Sequence, residues 1–112
     1  KHSPSVWRAA ISTADADSLR TAMIKIVSAG TATNMAVSGF EIGGKTGTAQ
    51  VDADRPDDTH AWIIGFGGPL GQPSTVAVAV IVESVPGLGQ QTGGTIAAPI
   101  AHAVLAAVLA KP

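Results

Sequence analysis

The spacing of apolar residues changes twice along this chain. From Ser12 to Gly30, Leu19, Met23, Ile26 and Val27 fall on one face at helical spacing. Ser12 can cap that helix, with Asp15 three residues on and Asp17 also favouring the positive helix end. Gly30 is placed to stop it. Thr31 to Gly39 has no clear period and reads as loop or short turn. The spacing then suits extended chain: strand one over about Gly44–Val51, strand two over about Thr59–Gly67 and strand three over Thr75–Val82. Between the first two, residues 52–58 (Asp-Ala-Asp-Arg-Pro-Asp-Asp) read as a loop by composition. Residues 68–73, with Gly68, Pro69 and Pro73, read as a turn. Strand three is apolar on both faces, which predicts an interior strand with cover above and below. It should pair with strand two. A loop with Pro86, Gly87 and Gly89 leads to Gly93-Gly94. A helix follows over about Ile96–Leu109, with Pro99 tolerated in its first turn. The fold class is therefore α/β of the α+β kind: helix, three antiparallel strands, helix.

Composition narrows the function classes. The chain has 112 residues, 46% hydrophobic and 13% charged, with a formal net charge of −1. That suits one small folded domain or a piece of one, and argues against disorder and against a nucleic-acid surface. With no cysteine there is no disulfide, no cysteine–zinc site and no thiol catalysis. No N-terminal signal peptide is visible. The apolar run Ile96–Ala110 is too short to span a bilayer, contains Pro99 and His102, and reads as a buried helix.

The chemistry concentrates in Lys45-Thr46-Gly47-Thr48, which sits inside Gly43–Gln50. Reading back to Gly39 gives a formal match to the phosphate-binding pattern Gly-x-x-x-x-Gly-Lys-Thr. That pattern needs a helix directly after the lysine, because the phosphates rest on the helix N-terminus. Gly47 and the turn residues after Gln50 do not supply one, so the strand reading is preferred. On a strand, Thr46 and Thr48 share one face, and Lys45 and Gly47 the other. Two hydroxyls beside an ammonium suit a carboxylate ligand. Gly47 lets other atoms approach the backbone, and a free backbone N–H on an edge strand can stabilise an oxyanion. The plain alternative is an edge strand with a solvated lysine.

Other candidate residues carry less. His2, His60 and His102 do not form a metal motif. His60, at the start of strand two, suits a structural or solvated role better than a cleft role, and His102 suits a helix surface. Asp52, Asp54, Asp57 and Asp58 lack the glycine and the final glutamate of a calcium loop. Trp62 and Phe66 share a face at period two and are expected to pack in the core. There is no Gly-x-Ser-x-Gly elbow.

In sequence, Gly30-Thr31-Ala32, Gly43–Gln50, His60–Phe66, the valine-rich strand and Gly93-Gly94 with Ala97-Ala98-Pro99-Ile100 follow one another. This order resembles the C-terminal part of class B penicillin-binding proteins, the D,D-transpeptidases of bacterial cell-wall synthesis. The resemblance runs from about Ser12 to Leu109 and is strongest from Gly43 to Gly67. The alanine- and valine-rich, lysine-poor style resembles the actinobacterial penicillin-binding protein A type. The family carries its nucleophile in Ser-x-x-Lys and a second motif Ser-x-Asn. Neither occurs here, since no serine has a lysine three residues later.

The resemblance implies that residues 1–112 are the C-terminal portion of a transpeptidase domain, incomplete without an N-terminal portion and inert alone. It implies that a serine acylated by a D-Ala-D-Ala peptide, or by a β-lactam, lies in that other portion. Lys45 would then supply charge and a hydrogen bond to the second motif's serine. Thr46 and Thr48 would hold the terminal carboxylate, and the Thr48 N–H would form half of the oxyanion hole. Gly47 would keep the cleft floor clear. No metal or organic cofactor is implied. Expected partners are peptidoglycan stem peptides and β-lactams, on the extracytoplasmic face of the membrane, with anchoring through a segment outside this sequence. A serine β-lactamase or β-lactam sensor, and a non-catalytic scaffold of the same fold, are the alternatives.

Overall fold

The computed structural model describes residues 8–87 and 89–110. Helix α1 spans Thr13–Ala29 and starts as its sequence requires. The N–H of Asp15 donates to Ser12 Oγ at 3.1 Å, and Ser12 Oγ donates to Asp15 Oδ2 at 2.7 Å. The N–H of Gly30 closes the helix on the Ile26 carbonyl. Val27 is buried and Met23 and Ile26 are half-buried, but Leu19 is exposed, so the apolar stripe is covered only toward its C-terminal end. A short 3-10 turn follows at Thr33–Met35.

Strands β1 (Phe40–Asp52), β2 (Arg55–Pro69) and β3 (Val76–Val82) form one antiparallel sheet in the order β1-β2-β3. Lys45 faces Ile64 across the first ladder, and Gly47 faces Trp62. Ile63 faces Val80 across the second. The first hairpin is longer than its composition suggests. Most of the expected loop 52–58 is strand, and only Ala53-Asp54 turns. The Asp54 N–H donates to Asp52 Oδ1, and Arg55 pairs with Asp52 and Asp58, so these acidic groups brace the hairpin tip.

One face of the sheet holds the core. Ile42, Ala61 and Ile63 pack there with Val27, Ala32, Met35 and, from the last helix, Ala97, Ala98, Ala101 and Leu105. Met35 is fully buried because it lies over two strand glycines. A Cβ on Gly44 would come 2.7 Å from the Met35 sulfur, and one on Gly65 would also meet Met35. The C-terminal segment enters through a π-helical turn, Gly93–Ala97, and continues as α2, Ala98–Leu109, with Pro99 in its first turn as expected.

One sequence expectation is corrected by the opposite face. Trp62 shares its face with Phe66 but is 43% exposed rather than packed in the core. Strand β3 pairs with β2 as expected, and on its other side, where the family resemblance places a strand from outside residues 1–112, the described residues supply none. Val76, Val78, Val80 and Val82 are half-buried on the helix side, while Ala77, Ala79 and Ile81 are exposed. Both helices pack against the same face, which leaves the second face of a two-sided apolar strand open.

Candidate functional site

Strand β1 forms the other edge of the sheet, and Lys45-Thr46-Gly47-Thr48 lies in its middle. A strand that long through Lys45 excludes the helix required by the phosphate-loop pattern. Strand alternation sends Thr46 and Thr48 to the helix-covered face and Lys45 and Gly47 to the open one. The motif therefore stands between two concavities. Toward the helices, Thr31, Asn34, Thr46, Thr48, Gly94 and Thr95 help line a pocket of about 420 Å³. Toward the open face, Lys45, Gly47, Ala49, Trp62 and Ile64 line one of about 380 Å³.

Three contacts define the geometry. Lys45 Nζ donates to the Thr46 carbonyl at 2.6 Å. That carbonyl therefore faces away from β2. Within a strand, a residue's N–H and C=O point to one side, and the side repeats every second residue. The N–H of Thr48 accordingly lies on the same free edge. The Thr46 hydroxyl lies 2.8 Å from that of Thr31. Asn34 Nδ2 donates to the Gly94 carbonyl at 2.9 Å, tying the loop after α1 to the π-helical turn. Three separate segments thus meet here: the loop after α1, β1 and the π-helical turn.

Strand alternation accounts for the arrangement of Lys45, Thr46, Gly47 and Thr48, two side chains on each face of β1. The sequence singles out neither Thr31 nor Asn34 as a site residue, nor Thr92 or Thr95. The only signal was the triplet Gly30-Thr31-Ala32, which carried part of the family resemblance. No spacing rule connects Thr31 to Thr46, because the contact arises from how α1 ends against β1. The remaining candidates take structural places. The Ser84 N–H donates to His60 Nδ1 at 2.9 Å, holding the chain just after β3. His102 Nδ1 lies 2.7 Å from the Ala36 carbonyl. His2 lies outside the described residues. Thr59, buried, both donates to and accepts from the backbone of Gln91, and so anchors the loop leading to Gly93. Among the described residues, no group of three metal-ligating side chains gathers, and no helix is long and apolar enough to cross a membrane.

The chain is 47% identical over 75 residues to the peptidoglycan D,D-transpeptidase PbpA of Mycolicibacterium smegmatis, covering 66% of this chain and 15% of that protein. It is 40% identical over 102 residues to stage V sporulation protein D of Bacillus subtilis, covering 89% of this chain and 16% of that protein. Among solved structures, it is similar to the transpeptidase domain of the FtsI4 D,D-transpeptidase from Legionella pneumophila. There the TM-score is 0.64 at 27% identity, over 88% of this chain and 37% of that one. A D,D-transpeptidase domain of a peptidoglycan glycosyltransferase from Eggerthella lenta gives a TM-score of 0.58 at 27% identity, over 80% of this chain and 18% of that one. The chain spans only 15–16% of the length of these two curated relatives. The family profile for the penicillin binding protein transpeptidase domain matches residues 2–106. With that match covering nearly all of the sequence, the chain belongs to the penicillin-binding protein transpeptidase domain family.

Proposed function

We propose that residues 1–112 form the C-terminal portion of the catalytic domain of a peptidoglycan D,D-transpeptidase and supply one wall of its active site. The observation that carries this reading is Lys45-Thr46-Gly47-Thr48 on a free sheet edge, with a lysine on one side and two hydroxyls on the other. A serine from the N-terminal portion attacks the carbonyl between the two D-alanines of a stem peptide. The terminal D-alanine leaves, and an acyl-enzyme forms. The amine of a second stem peptide then displaces the serine and completes the cross-link. β-Lactams acylate the same serine and leave slowly. Catalysis by such a covalent route requires the nucleophile, so this chain alone is inert.

Within this scheme Lys45 supplies a positive charge beside the serine of the second motif. Thr46 and Thr48 donate to the ligand carboxylate. The Thr48 N–H, on the free edge, stabilises the oxyanion of the tetrahedral intermediate. Loss of one such donor costs about 2.7–4 kcal/mol of transition-state stabilisation. The site belongs on the extracytoplasmic side of the membrane, where peptidoglycan is assembled, with the anchor in a segment outside this sequence.

The test is acylation of the full-length protein by a labelled penicillin, comparing Lys45→Met, Thr46→Val and Thr48→Val with the unaltered protein. Each lost hydrogen bond to a charged group should slow acylation by about 1.5–3 kcal/mol. Unchanged rates in all three variants would remove this strand from the site.

A further inference from the structure

The hydroxyl pair Thr31–Thr46 joins the motif to a residue outside it. A hydroxyl has one proton to give and two lone pairs to accept with. For Thr46 to donate to a carboxylate, its proton must point at the ligand while its oxygen accepts from elsewhere. At 2.8 Å, Thr31 Oγ1 is placed to provide that donor. A hydroxyl that accepts one hydrogen bond is also a better donor in the next, since linked bonds polarise one another. Without Thr31, the Thr46 hydroxyl is free to rotate, and its proton has no preferred direction.

Thr31 is itself held firmly enough to serve. The N–H groups on either side of it, of Gly30 and Ala32, both donate to the Ile26 carbonyl, at 3.0 and 3.2 Å. The Ala32 side chain is fully buried. The Thr31 carbonyl packs against Gly94, where a Cβ would collide with it. Asn34 Nδ2 binds the Gly94 carbonyl and closes the same junction. The end of α1, the 3-10 turn and the π-helical turn therefore fix the position from which Thr31 reaches β1.

We propose that Thr31 is a positioning residue, which donates its hydroxyl proton to Thr46 Oγ1 and so turns the Thr46 proton toward the ligand carboxylate. This rests on the reading that Thr46 meets that carboxylate, and the experiment separates the two. In the full-length protein, acylation by a labelled penicillin is measured for Thr31→Val, Thr31→Ser, Thr46→Val and the double valine variant. A second ligand, the methyl ester of the same penicillin, puts an uncharged, weaker acceptor where the carboxylate stood. Thr31→Val should slow acylation by the free acid roughly 3- to 10-fold, the range of one net hydrogen bond. Thr31→Ser, which keeps the hydroxyl, should restore most of the rate. In the Thr46→Val background, Thr31→Val should add nothing, as expected for two groups acting as one unit. With the ester, whose uncharged carbonyl is a weaker acceptor, Thr31→Val should slow the reaction clearly less than with the free acid.

An equal slowing of acid and ester by Thr31→Val would mean a merely structural role and overturn the proposal. So would an unchanged Thr31→Val rate with Thr46→Val impaired, which leaves the proposed function standing. If Thr46→Val has no effect, Thr46 leaves the site and the positioning role falls with it.

Discussion

On one face of the sheet, Ile42, Ala61 and Ile63 are 5% exposed or less; on the other, Trp62, Ile64 and Ile81 are 43, 49 and 51% exposed. The same three strands make both faces, and both carry apolar side chains. On the first, helices α1 and α2, together with the 3-10 turn, close a core around Met35 and Leu105; the second meets α1 through Arg20, which lies over Phe66. The second presents a tryptophan, two isoleucines and two alanines beside Lys45. A contiguous apolar surface of this kind on a folded domain marks an interaction face. Its position fits a chain spanning 15–16% of its curated relatives. The covered face explains why this part of the domain has a core of its own. On the proposed function, the open face is where the rest of the catalytic domain docks.

The strongest way to break this comparison is to produce residues 1–112 alone. The open face and the unpaired edge of β3 should make that chain insoluble or drive it to pair with itself. Sedimentation would show this directly. A monomer that unfolds cooperatively would contradict it.

Substitutions in the full-length protein grade the covered face. Leu105→Ala removes a fully buried side chain from the covered core and should destabilise by about 2–5 kcal/mol. Gly65→Ala should cost about 1–3 kcal/mol by overpacking. Its Cβ would meet Met35 and lie 2.5 Å from the Gly43 carbonyl oxygen. Gly47→Ala faces the open side, where a Cβ would sit 3.3 Å from Trp62 Cβ, tight but not blocked. It should change stability least, by about 1 kcal/mol or less, while slowing acylation by narrowing the pocket beside Lys45. Denaturant midpoints for the three variants, with acylation rates for the last, check the order.

The same contrast shows what the sequence made legible. Period and caps located α1, β2, β3 and α2, because Ser12, Gly30 and Pro99 each have a local physical reason to stand where they do. The Lys45–Thr48 alternation was legible because a strand has a fixed period of two. The start of β1 at Phe40 was not, since the strand residues Gly43 and Gly44 offer no side-chain pattern and Phe40–Gly43 extend only because they pair with Phe66–Pro69. Residues 52–58 read as a loop on composition, yet pairing and the Arg55 ion pairs extend the hairpin through most of them. Trp62 reads as a core residue because side-chain type tells what should be buried, not what buries it. The Thr31–Thr46 contact lies at a junction of tertiary structure, beyond any local rule.

The central claim is that this chain builds the wall of a site whose nucleophile lies elsewhere in the same protein. Full-length protein treated with penicillin, then digested and mapped by mass spectrometry, tests it most directly. The account predicts a single acylated serine in a peptide outside residues 1–112. An adduct on any serine of residues 1–112, or no adduct at all, would contradict it.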